Sequence, residues 1–160
     1  MSIFETTILK TAGVTQARAL AKAAVTRDNI FDLTQAAENA VMRPIEFGAF
    51  SHDLRAALAA RLARQGADEE LAARYLADAE GHADLADPIE TGAAQGLEIV
   101  LAFVDKVGNR TRDIEADDIV GLQAAGISDA DIVRLCELVA FLAYQIRVIA
   151  GMRLMQRSAP

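Results

Sequence analysis

Four side chains in the first half of the chain have the types needed for acid–base work: His52, Glu70, Arg74 and Tyr75. Glu70 and Arg74 stand four residues apart, so a helix places them on one face. A carboxylate beside a guanidinium is either an ordinary surface ion pair or the edge of a pocket that binds a small anion and moves protons. His52 and Tyr75 would add two more proton carriers. Cys136 is the one cysteine. A redox thiol needs exposure and an electropositive setting. The residues around Cys136 on a helix are Ile132, Leu135, Val139 and Ala140, with Glu137 next in sequence. That setting reads as a small buried hydrophobe, with redox use as the alternative.

Other chemistry lacks its residues. His52 and His82 are the only histidines, and Glu69, Glu70, Asp78 and Glu80 lie near them in sequence. No His-x-x-x-His or Glu-x-x-His spacing accompanies them, so no metal is expected. There is no Gly-rich phosphate loop, Ser-His-Asp set or dinucleotide fingerprint, so no cofactor is expected either.

The elements that must position these groups are helices. No segment alternates with period two, and helix start and stop residues recur along the chain. Residues 1–13 read as a loosely ordered arm. Thr15 caps a helix to about Val25. Asp28 caps another to about Met42, with Ile30, Phe31, Leu33, Ala37 and Val41 as its apolar residues and Pro44 ending it. Ser51 caps a third, HDLRAALAARLARQ. Leu54, Leu58 and Leu62 form its core stripe, and Arg55, Arg61 and Arg64 are expected on the surface. Asp68 caps a fourth through about Glu80. A fifth spans about Ala93 to Val107, and EADDIVGLQAA is a sixth. Ser128 then caps a long apolar seventh through Met152, with Asp131 closing a capping box. Tyr144, Gln145 and Arg147 sit mid-way along it. They read as a structural polar cluster or an oligomer contact, because Arg is rarely buried unpaired.

The totals agree with one all-α domain over 1–160. Hydrophobic residues are 52% and charged residues 24% of the 160, a globular balance. The net charge of −7 and pI near 4.8 repel nucleic acid and anionic membrane. The N-terminus MSIFETTILK lacks the pattern of a secretory leader. No uncharged run approaches the roughly 20 residues of a membrane span. A cytoplasmic protein with neither nucleic-acid nor membrane partners is expected. The high apolar share for this size favours an oligomer.

Two stretches carry a family resemblance. FGAFSHDLRAALAARLARQGADEELAARYLADA and LQAAGISDADIVRLCELVAFLAYQIRVIAGMRL resemble, in order, the signature regions of the carboxymuconolactone decarboxylase and alkylhydroperoxidase D family. The likeness covers roughly 45–155 and is close to a peroxidase-related subgroup. It implies an alkylhydroperoxidase D-like helical domain of about seven helices with a long apolar C-terminal helix. It also implies a homo-oligomer (dimer, trimer or hexamer), alone or beside an active paralogue.

The family's activity, peroxidase or decarboxylase, depends in its peroxidases on a Cys-x-x-Cys-x-x-x-His motif. Aligned on the Gln65-Gly66 turn, Ala67 and Glu70 stand at the cysteine positions and Arg74 at the histidine. The family's helper acid falls near Arg55. Peroxide reduction needs a thiolate and a resolving thiol, so a divergent member without thiol peroxidase activity is expected. The alternatives are a non-redox acid–base enzyme on a small organic acid or lactone, using Glu70, Arg74, His52 and Tyr75, and a one-cysteine peroxidase through Cys136.

Overall fold

Helix-favouring composition and frequent caps lead to an all-helical chain. The computed structural model describes residues 2–158. Among these, regular structure consists of eight α-helices and four short 3-10 segments, with no strand. The α-helices are α1 Thr7–Thr11, α2 Ala21–Thr26, α3 Asp28–Met42, α4 His52–Gln65, α5 Glu69–Leu76, α6 Glu98–Asn109, α7 Ala116–Ala124 and α8 Asp129–Ser158. Several starts match the capping residues. Asp68 accepts a bond from the Leu71 amide at 3.1 Å. Ser128 Oγ accepts from the Asp131 amide and donates to its carboxylate. Ser51 instead gives its hydroxyl to Asp53 and caps nothing.

The central element is α4, buried without a break from Leu54 to Ala63. It packs against α3, α5, α6, α8 and the 3-10 segment Glu80–Ala86. Its five core alanines leave room for neighbours to approach on several sides. Two of the arginines expected on its surface are inside. Arg55 and Arg61 are each 2% exposed. Arg55 donates to the carbonyls of Val41, Phe47 and Phe50, which pins the 41–50 linker. Arg61 pairs through two nitrogens with Asp105 at 2.7 Å and donates to the carbonyls of Leu85, Asp87 and Pro88. A guanidinium has five donors in a fixed fork; Arg61 makes five bonds and Arg55 bonds through each of its three nitrogens, which is what permits burial.

The C-terminal helix is long, 30 residues or about 45 Å, but it is not apolar all round. Its inward stripe runs through Leu135, Leu138, Leu142, Gln145, Ile149 and Met152. Its outward stripe, with Val133, Glu137, Tyr144 and Arg147, faces solvent. No helix among the described residues is long and apolar enough to cross a membrane.

Two further expectations need correction. The arm is not loose: helical turns run through Ile3–Glu5 and Thr7–Thr11, and Ile8, Leu9, Ala12 and Val14 are buried. Its hydrophobic residues find α3 and α8 as partners. In α3, the inward stripe is Phe31, Thr34, Glu38 and Met42, while Ile30 and Leu33 are exposed. Two polar residues displaced two apolar ones because other helices supply their hydrogen bonds.

The 41–50 linker is fastened to α8 as well as α4. Gly48 has φ +62°, and a Cβ there would collide with Asp131 Oδ1. Asp131 in turn accepts from the Ala49 amide at 3.1 Å and from Arg134 at 3.0 Å. Only glycine offers both the left-handed backbone and the missing Cβ.

Candidate functional site

The inward turn of Glu38 creates the site. The i, i+4 spacing along α3 aligns Gln35, Glu38, Asn39 and Met42 toward the C-terminal half of α5. Together with His52, Arg74 and Tyr75 they line a cleft of about 280 Å³. This lies near the lower end of the roughly 300–1,000 Å³ typical of ligand pockets.

The floor of the cleft is a ring of hydrogen bonds. Tyr75 Oη lies 3.0 Å from Glu38 Oε1 and 2.7 Å from Gln145 Oε1. Gln145 Nε2 donates to Glu38 Oε2 at 3.0 Å. From below, Thr7 Oγ1 donates to Glu38 Oε1 at 2.8 Å. Glu38, Tyr75 and Gln145 come from α3, α5 and α8, and each is at most 5% exposed. Tyr75 has a single proton for two acceptors within reach. The ring therefore has an edge, between Glu38 and Tyr75, where a further proton fits. Burial, followed by the nearby Glu38 charge, pushes the Tyr75 phenol well above its ordinary range. Tyr75 is thus a donor that stays protonated, and Glu38 is the one carboxyl in the ring.

The rim is cationic. Arg43 is paired with Asp78 at 2.8 Å. Arg74 is exposed, and among the described residues no carboxylate forms an ion pair with it. His52 is exposed, and its Nε2 lies 2.9 Å from the Pro44 carbonyl. A charged guanidinium at the mouth and a carboxyl at the floor suit a ligand with an anionic end.

Of the acid–base residues expected from sequence, three meet here: His52, Arg74 and Tyr75. Glu70 does not. It is exposed and pairs across to Arg153 of α8 at 3.1 Å, so the expected Glu70–Arg74 contact is absent. Ala67, at the first cysteine position of the resemblance, takes φ +58° in the turn before α5. Arg55, at the helper-acid position, is spent on the linker carbonyls. Cys136 is half-buried on α8 and does not line the cleft. Burial first, and the neighbouring Glu137 second, push its thiol upward, away from the thiolate that redox chemistry requires.

Sequence reasoning missed Glu38. The available signal was the Phe31–Thr34–Glu38–Met42 spacing, a helical stripe with two polar members. It also missed a pairing beside the cleft, where His82 Nδ1 lies 2.8 Å from Asp53 Oδ2. Hydrogen bonds from Ser51 and then from His82 hold the Asp53 carboxyl down at about 2. No group of three His, Cys, Asp or Glu side chains suited to a metal ion is found among the described residues. Compared with protein-family models, curated proteins and solved structures, the chain finds no match.

Proposed function

We propose that this chain is a non-redox acid–base protein that takes a small organic acid or lactone into the cleft between α3, α4 and α5. The observation that carries this reading is the Glu38–Tyr75–Gln145 ring. It is a buried carboxyl that accepts from Thr7 and Gln145, with its edge toward the Tyr75 hydroxyl able to accept or release a proton. Arg74 anchors a carboxylate or a polarised carbonyl at the mouth. Glu38 takes a proton from the carbon beside the substrate carbonyl, or returns one. Tyr75 and Gln145 keep the carboxyl in place through both protonation states, so that little reorganisation accompanies the transfer. The resemblance to the carboxymuconolactone decarboxylase and alkylhydroperoxidase D family belongs to the same proposal. Within it, the protein is a divergent member without thiol peroxidase activity. Ala67 and Glu70 carry no sulfur, and Cys136 stands in a setting that disfavours the thiolate.

The test is solvent exchange. A panel of small keto acids, hydroxy acids and lactones is incubated with the protein in deuterium oxide. Proton NMR then follows loss of signal at carbons beside a carbonyl. Exchange or turnover that disappears in Glu38→Gln and weakens at low substrate in Arg74→Met is expected. A panel that shows nothing above the Glu38→Gln background sinks the proposal. Thiol-dependent peroxide consumption by the native chain would overturn its non-redox half.

A further inference from the structure

The outward face of α8 has a regular spacing that the fold of one chain does not use. Val133, Glu137, Ala140, Tyr144, Arg147 and Gly151 follow one another in alternating steps of four and three residues. That is a heptad seam, the spacing by which one helix packs along another. In this chain the seam lies in the open. Val133 is 56% and Tyr144 42% exposed, and Glu137, Ala140 and Arg147 are exposed too. Among the described residues, neither the Glu137 nor the Arg147 side chain makes an ion pair or hydrogen bond. A Cβ built on Gly151 meets nothing within 4 Å. Glycine weakens a helix interior, and nothing within the chain requires it there.

We propose that this face binds a second copy of the chain, with the two α8 helices antiparallel across a two-fold axis near Leu142. A two-fold contact must be self-complementary, and this stripe is. With that axis, Glu137 faces the partner's Arg147, and the same pair recurs on the other side of the axis. Ala140 leaves room for the partner's Tyr144, and Gly151 for the partner's Val133. Large residues thus meet small ones in the Val133–Gly151 and Ala140–Tyr144 layers, and each charge meets its opposite in the layer between. Sliding one helix along the other by one heptad either way sets Glu137 against Ala140 or Arg147 against Tyr144, so the charges select one register. Beside the seam, Ile30 and Leu33 on α3 are 46% and 65% exposed. They lie on the helix whose Thr34 Oγ1 is 3.3 Å from the Tyr144 hydroxyl. They extend the apolar area that a partner would cover.

The test is the mass of the full chain in sedimentation velocity across micromolar concentrations. The native chain is expected to dimerise. Glu137→Arg and Arg147→Glu each place like charges together at two symmetric points, and each should weaken the dimer by roughly tenfold or more. The double variant should restore it. Gly151→Leu should disrupt the dimer while leaving the monomer's thermal stability equal or higher, because the position is open within one chain. Helical circular dichroism checks that each variant is folded. A native chain that stays monomeric overturns the proposal. So does a dimer indifferent to both single charge reversals, or a double reversal no better than the singles.

Discussion

Replacing Tyr75 with Phe removes one atom from the ring at the cleft floor and leaves its shape intact. The Oη that is lost lies 2.7 Å from Gln145 Oε1 and 3.0 Å from Glu38 Oε1. Glu38 Oε1 keeps the Thr7 hydroxyl at 2.8 Å. Gln145, 0% exposed, has no other donor to its carbonyl oxygen among the described residues. The main penalty is thus one buried acceptor left without a partner, about 1–3 kcal/mol. The slightly more apolar ring offsets a little, so a net loss of about 2 kcal/mol is expected. For a chain of this length that corresponds to roughly 4–8 °C in melting temperature. Urea denaturation measures it, as a lower midpoint with an unchanged slope. A double-mutant cycle with Gln145→Leu isolates the pair. The double variant removes donor and orphaned acceptor together, so it should cost less than the two single changes summed, by about 1 kcal/mol. A neutral Tyr75→Phe, or strict additivity with Gln145→Leu, would refute the ring as described.

Other perturbations follow from the same geometry. Arg61→Met strips the fork that holds Asp105 and the Leu85–Pro88 carbonyls and leaves Asp105 without its buried partner. A loss of about 3–5 kcal/mol by denaturant titration is expected, and a change under 1 kcal/mol would contradict it. Gly48→Ala forces a left-handed alanine against the Asp131 carboxylate. Melting should drop by an amount equivalent to about 2 kcal/mol, and faster proteolysis between Arg43 and Ser51 should accompany it. Asp53 titrates near 2 in the fold against an ordinary 3.8. Because the folded value is the lower one, its stabilisation is present above pH 3.8 and is lost as pH falls toward 2. Asp53→Asn should flatten that part of the acid-unfolding curve, and an unaltered curve would count against the Ser51–Asp53–His82 contacts. Cys136, raised by burial and Glu137, should react with a thiol reagent at neutral pH more slowly than a cysteine in a short peptide. Faster reaction would reopen a redox role.

Most of the helices were legible because their signals are local. Asp68 and Ser128 are caps, Pro44 a stop, and the Leu54–Leu58–Leu62 spacing a core stripe, each readable within one turn of the chain. Three of the four expected acid–base residues share a cleft for a related reason. Arg74 and Tyr75 are neighbours at the end of α5, and His52 opens the adjacent helix. Glu70 lies away from the cleft because its spacing from Arg74 fixes a shared face and not a partner. Arg153, more than 80 residues away, competes for it and wins. The expectation of Arg55 and Arg61 on the surface rests on the rule that charge lies outside, which fails wherever remote segments supply enough hydrogen bonds, as they also do for Glu38.

Composition, caps and the period of apolar residues were enough to determine an all-helical chain, where most of its helices start and stop, and the absence of a membrane-spanning helix among the described residues. Those properties depend on interactions within a few residues of each other. Only the tertiary structure decided which polar groups go inside. Glu38 is buried because Thr7, Tyr75 and Gln145 arrive from three other helices to satisfy it. The free energy of burying a polar group depends on partners distant in sequence, and that information is absent from any local window.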